Sequence, residues 1–235
     1  MNRFLKRAWA EIDLDALEHN YNEIKKLAKG KDILAVVKAN AYGHDDKAVC
    51  LKLQELGVKY YGVSNLWEGE KLRQHGITGT ILTFGYTDED YFDELLEYGI
   101  TQTAGSVQYA KQLSDYAVSK GVKLPVHIKV NTGMTRVGID SQQEMLDILA
   151  MPGLDCKAAY THFAAADSLD PSDVEYTDRQ QEKLMKIAKD KGLLIHSQNS
   201  GGIIYHGDFG GDIVRAGVIL YGHYPCLLYT SDAAD

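Results

Sequence analysis

From Asp13 onward, Leu14, Leu17, Tyr21, Ile24 and Leu27 recur at steps of three and four, the spacing that gathers apolar side chains on one face of an α-helix. Asp13 is a candidate N-cap, because its carboxylate can accept from free amides of the first turn, and Gly30 is a candidate stop. Beyond Gly30, short apolar runs alternate with helix-length inserts: 33–37, 60–63, 80–84, 100–103, 126–130, 156–160, 193–196 and 213–219. Gly57, Gly76, Gly99, Gly121 and Gly192 stand where the intervening helices need a left-handed residue to end. Eight strands, each followed by a helix, predict a parallel (β/α)8 barrel of the TIM type, the architecture that closes at that number.

The barrel is expected to occupy residues 13–225. Ahead of it, Ala8–Leu14 alternates apolar and polar like a half-buried strand, yet has no partner in the sequence. Residues 1–12 are therefore set apart as an orphan strand. Residues 226–235 lack useful periodicity and would expose Leu227, Leu228 and Tyr229, so an irregular, truncated or scrambled tail is expected there.

Composition narrows the function. With 45% hydrophobic and 25% charged residues, the 235-residue chain has the make-up of a globular protein. Its formal net charge of −8 and scattered lysines argue against a nucleic-acid partner. No run approaches the roughly 18–20 apolar residues of a membrane helix, and the first residues lack an apolar stretch of signal-peptide length, so a cytoplasmic location is expected. Cys50, Cys156 and Cys226 are far apart and odd in number, the pattern of reduced thiols.

In such barrels, catalytic groups stand at the carboxyl ends of strands. The first strand runs into Lys38-Ala39-Asn40-Ala41-Tyr42-Gly43-His44, where a lysine leaving an apolar run is a candidate amine nucleophile. The seventh ends in Ser197-Gln198-Asn199-Ser200-Gly201-Gly202, whose hydroxyls and open amides suit an anion, and the eighth adds Arg215, Gly217 and Val218. A lysine able to form an imine, facing two anion-binding turns, points to an aldehyde that carries a phosphate. Pyridoxal 5′-phosphate (PLP) has both parts. On the fifth strand, Lys129 alternates with Ile128 and so faces the barrel interior, where a lone ammonium needs a partner or neutralisation. Arg136 follows a glycine turn and can bring a permanent charge to the mouth, and His162 closes the sixth strand. The eight histidines show no metal-ligand spacing, so no metal is assigned.

At these residues the sequence resembles the alanine racemase family. The block at Lys38–His44 is similar to its cofactor-lysine signature, and Lys129–Gly138, Tyr160–Ala164, His196–Ser200 and Arg215–Gly222 match later blocks in order, over about Arg7–Pro225. The resemblance implies that Lys38 holds PLP as a Schiff base and acts as one of two bases exchanging the α-proton of alanine, by way of an α-carbanion, to supply D-alanine for the cell wall. It implies that Tyr42, Ser200, Gly217 and Val218 bind the phosphate, that Asn199 lines the site, and that Arg136 sits by the cofactor's phenolic oxygen. Arg215 would bond the pyridine nitrogen with His162 behind it, and Lys129 matches a position that is carbamylated. An arginine there has no proton to give the ring, which weakens the electron sink and favours α-carbon reprotonation over transamination.

The family also carries a second, β-rich domain with a tyrosine that serves as the opposite base in the partner subunit's site, and none of the 15 tyrosines here matches that motif. A retained PLP pocket with poor racemase activity is therefore the expectation, with the orphan strand belonging to the domain that is not present. The family's head-to-tail homodimers are built largely through that domain, which leaves a monomer open for this chain. Serine, as in serine/alanine racemases, is the alternative substrate. A single-barrel PLP homeostasis protein without racemase activity is the non-enzymatic alternative.

Overall fold

The computed structural model describes residues 9–225. Helix α1 (Leu14–Leu27) begins where the sequence places it, with the Asp13 carboxylate accepting from the Asp15 and Ala16 amides, and it buries Leu17, Tyr21 and Ile24. Eight strands follow: β1 (Asp32–Val36), β2 (Tyr60–Val63), β3 (Thr80–Thr83), β4 (Thr101–Ala104), β5 (Leu124–Lys129), β6 (Leu154–Tyr160), β7 (Leu194–His196) and β8 (Ile213–Ala216). They pair in parallel in chain order, and β1 pairs with β8, placing Leu34 beside Arg215 and closing the barrel.

Between the strands lie α2 (Lys38–Tyr42), α3 (Asp46–Glu55), α4 (Leu66–Gln74), α5 (Phe92–Glu97), α6 (Val107–Ser119), α7 (Gln142–Leu149), α8 (Pro171–Ala188) and α9 (Ser200–Tyr205). The five glycines read as helix stops all have positive φ, from +56° at Gly99 to +88° at Gly57, the conformation that costs a residue without Cβ least.

Alternation divides the buried residues into two sets. Ile33, Ala35, Val126, Ile128, Val130 and Val214 face the helices and join the large core. Leu34, Val36, Leu82 and Ile213 form a separate small core within the barrel, with Tyr60 and Phe84 against it. The opposite side of the interior is polar: Thr103, His127, Lys129, Tyr160, His196 and Arg215 are all buried. A polar interior is tolerated only where its groups find partners, and this asymmetry fixes where chemistry can occur.

Two expectations fail locally. No strand forms over Ala8–Leu14: residues 9–13 run without strand pairing, mostly exposed, Leu14 already belongs to α1, and Ala8 lies outside the described residues. An alternating pattern yields a strand only if a neighbouring edge receives its amides, and none does so among the described residues. The eighth strand stops at Ala216 rather than Ile219, because Gly217 turns off the ladder and Val218–Tyr221 coil into a 3₁₀ turn. Residues 226–235, including Cys226, lie outside the described residues.

Candidate active site

A cavity of about 620 Å³ opens at the carboxyl ends of the strands. Lys38, Tyr42, Lys129, Arg136, His162, Asn199, Ser200, Arg215, Gly217 and Val218 all line it, so the structure brings together every site residue expected from the sequence.

Lys38 and Tyr42 share one unusual segment. Helix α2 winds left-handed, with φ between 53° and 55° at Ala39, Asn40, Ala41 and Tyr42. Such a turn costs roughly 1–2 kcal/mol per L-residue, so its surroundings must over-determine it. The Ala41 amide donates to the Val37 carbonyl at 2.9 Å and the Gly43 amide to that of Ala39 at 3.0 Å. The Ala39 amide donates to the Glu68 carboxylate at 2.8 Å, and the Asn40 side-chain oxygen accepts from the Asp46 amide at 3.0 Å.

A polar cradle lies beside this turn. The Gly217 amide donates to Ser200 Oγ at 3.2 Å. A Cβ at position 217 would lie 3.3 Å from the Tyr42 hydroxyl and 3.6 Å from Ser200 Oγ. Two hydroxyls and a backbone amide thus converge on a space kept open by the absent side chain. Asn199 is partly committed elsewhere, since its side-chain oxygen caps α9 by accepting from the Gly202 amide at 3.0 Å.

Arg215 is 3% exposed and anchored through both terminal nitrogens. Nη1 donates to the His196 carbonyl at 2.9 Å, and Nη2 to the Thr161 and Ser197 carbonyls at 2.7 and 2.9 Å. The Nδ1 atoms of His196 and His162 lie 3.3 and 3.4 Å from Nη1 and Nη2. Because guanidinium only donates, both Nδ1 atoms are acceptors, both rings are neutral, and His196 Nε2 donates to His127 Nδ1 at 3.0 Å. Burial and the surrounding cations lower His162 to about 3 and hold His196 well below its ordinary value, while burial lowers His127 to about 4. Burial brings Arg215 down only to about 10, which leaves it charged at neutral pH. Nε is left as its donor without a protein partner among the described residues.

Lys129 is a buried cation. Burial and the charges of Arg215 and Arg136 push its ammonium well below the usual lysine range. Its Nζ lies 4.9 Å from the Tyr160 ring centroid, and no hydrogen-bond acceptor meets it among the described residues. Arg136 is exposed at the rim of the cavity and forms no ion pair among the described residues.

The sequence reading missed two participants. Tyr160 floors the cavity, stacked on His196 with its ring planes 5° apart and hydrogen-bonded to Thr103 at 2.8 Å; its same-face alternation with Ala158 was the available signal. Glu68, three residues after the Asn65 cap of α4, has the capping-box spacing, but nothing in the sequence ties it to the remote Ala39 amide.

The family model for the alanine racemase N-terminal domain matches residues 12–225. The chain belongs to that family. An alanine racemase of Clostridium perfringens (strain SM101 / Type A) is 39% identical over 96% of this chain and 60% of its own length. The chain thus spans about 60% of the length of these curated relatives. The solved alanine racemase of Clostridium difficile 630 superposes with a TM-score of 0.89 at 35% identity, covering 97% of this chain and 62% of that one, and has also been solved in complex with cycloserine. A histidine racemase of Leuconostoc mesenteroides shares the fold at a TM-score of 0.83 and 27% identity, covering 91% of this chain and 59% of that one. Family membership agrees with the resemblance at Lys38–His44. No helix among the described residues is long and apolar enough to cross a membrane.

Proposed function

We propose that this chain forms the PLP-binding barrel of a racemase acting on alanine, the reaction named for most of the relatives above, and that it serves the supply of D-alanine to cell-wall precursors. The observation that carries the reading is the convergence on one cavity of the Lys38 amine, the Tyr42–Ser200–Gly217 cradle and the donor side of Arg215. The donor set fits the cofactor. The cradle offers the Tyr42 and Ser200 hydroxyls to a phosphate, with the Gly217 amide if it turns from Ser200, Val218 lines the same cavity, the lysine offers an amine to an aldehyde, and Arg215 keeps Nε as a donor for a ring nitrogen. Arg136 at the rim would approach the phenolic oxygen.

When bound, PLP supplies an electron sink that acidifies the α C–H of an amino acid. The residues of this chain do the rest. Lys38 takes or returns the α-proton on one face. Arg215, held by three carbonyls, donates a hydrogen bond but no proton, which limits the sink and favours return of the proton to the α-carbon. His162 accepts from Arg215 and fixes its plane. Lys129 becomes a partner for Arg136 if its neutral amine adds carbon dioxide, forming a carbamate anion and releasing one proton; a carbamate on the peptide carrying residue 129, trapped by alkylation and identified by mass, tests this.

Racemisation needs a base on each face of the α-carbon. Tyr160 has its hydroxyl engaged and is raised to about 12 by burial, and His162 is lowered to about 3. Neither can oppose Lys38. The described barrel is therefore expected to bind PLP yet racemise alanine slowly. The test is to load the chain with PLP, reduce with borohydride and map the fixed cofactor, then assay L-alanine against L-serine and L-histidine. Attachment at Lys38, lost in Lys38→Ala, is expected; attachment elsewhere, or none, overturns the reading.

A further inference from the structure

Glu68 belongs to no part of the cavity lining, yet its carboxylate reaches both strands next to the reactive lysine. One oxygen accepts from the Ala39 amide at 2.8 Å and the other from the Ser64 amide at 2.7 Å. Ala39 directly follows Lys38, and Ser64 follows the last residue of β2 and lines the cavity. The β1–β2 ladder ends just below, where the Val37 amide donates to the Gly62 carbonyl at 2.9 Å. Above that point the strands diverge into loops, and the carboxylate takes over the pairing.

The residue is itself well placed. Asn65 caps α4, its side-chain oxygen accepting from the Glu68 amide at 3.1 Å, so Glu68 projects from the first helical turn. A carboxylate suits the task because two acceptor oxygens meet two N–H donors, and bonds to an ionised acceptor are stronger than neutral ones. Ala39 is also the first residue of the left-handed stretch. The alanines at 39 and 41 have no intrinsic preference for that conformation, so an outside group must select it. Asn40 provides a second hold at the far side, on the Asp46 amide.

We propose that Glu68 is a positioning residue for Lys38: by bracketing the amides of Ala39 and Ser64, it keeps the left-handed turn wound so that the amine at position 38 and the hydroxyl at position 42 face one cavity. The proposal deepens the functional reading and rests on it, since it assigns a purpose to the aim of Lys38.

The test compares Glu68→Gln with Glu70→Gln, a change on the same helix whose side chain pairs instead with Gln74 at 2.9 Å. Glutamine keeps the size and the helix but offers one oxygen, and turns an NH₂ toward an N–H. Amide hydrogen exchange on the PLP-free chain is expected to rise about tenfold at Ala39 and Ser64 in Glu68→Gln alone, the effect of losing one charge-assisted bond. PLP affinity should fall by a similar factor, with less cofactor fixed on Lys38 by borohydride. Unchanged exchange at these two amides overturns the assignment. So does faster exchange throughout β4–β7, which would mark a merely structural role, and so does faster local exchange with unchanged affinity. If the parent chain fixes no PLP at Lys38, the functional reading falls, and the exchange comparison alone decides whether the bracket exists.

Discussion

Replacing Gly217 with alanine separates the anion cradle from the rest of the cavity. The added methyl would lie 3.3 Å from the Tyr42 hydroxyl and 3.6 Å from Ser200 Oγ. The Tyr42 hydroxyl must give way by a few tenths of an ångström, so the free chain should lose about 1–3 kcal/mol of stability. The methyl nevertheless occupies the space on which the hydroxyls and the Gly217 amide converge. A phosphate oxygen barred from one of these donors forfeits roughly 1.5–3 kcal/mol, the worth of a hydrogen bond to a charged group. That corresponds to a dissociation constant for PLP raised about 10- to 150-fold. Pyridoxal, which lacks the phosphate, is the control: its weaker binding should change little. Spectrophotometric titration of both ligands against parent and variant, with thermal unfolding of each, decides the matter. If pyridoxal weakens as much as PLP, or PLP affinity stays within about twofold, the cradle does not hold phosphate.

Arg215→Met removes the donors to three buried carbonyls and should lower the unfolding free energy by about 3 kcal/mol or more; a urea-midpoint change worth under about 1 kcal/mol would contradict the geometry. Acid should also unfold the chain early. His127, His162 and His196 have folded values below their ordinary 6.5, so below that pH the unfolded chain binds more protons and stability falls as pH drops, down to about 4 for His127 and 3 for His162. Each contributes at most about 1.4 kcal/mol per pH unit, and a urea midpoint constant from pH 7.5 to 5 would refute the buried neutral cluster. Cys50 is fully buried, and burial raises its thiol far above the usual range, so native alkylation should proceed no faster than unfolding, which mass spectrometry of labelled peptides can follow.

The barrel was legible because its signals are local and redundant. Apolar runs separated by helix-length inserts marked β1 to β7 to within a few residues, and the glycines at 57, 76, 99, 121 and 192 carry the helix stops in their own backbone conformation. The inward aim of Lys129 followed from counting along β5. What escaped depended on partners remote in sequence. Nothing in Ala39-Asn40-Ala41 signals a left-handed turn except the tolerance of asparagine, since the conformation is imposed by Glu68 and Asp46. The reach of β8 was overestimated because Val218 and Ile219 look strand-like, while the Gly217 amide is drawn away to Ser200. At Ala8–Leu14 the alternation was real, yet a strand also requires an edge to join, and composition cannot supply one.

The seam between β1 and β8 has a consequence for synthesis on the ribosome. Lys38 leaves the tunnel well before Arg215, yet Leu34 and Arg215 are cross-strand neighbours at the seam. A nascent chain lacking β8 leaves one side of β1 without its ladder. Closure of the barrel therefore waits for β8, and contacts so distant in sequence form slowly. Until they form, the lysine-bearing edge is exposed to whatever chaperone or stray strand finds it first.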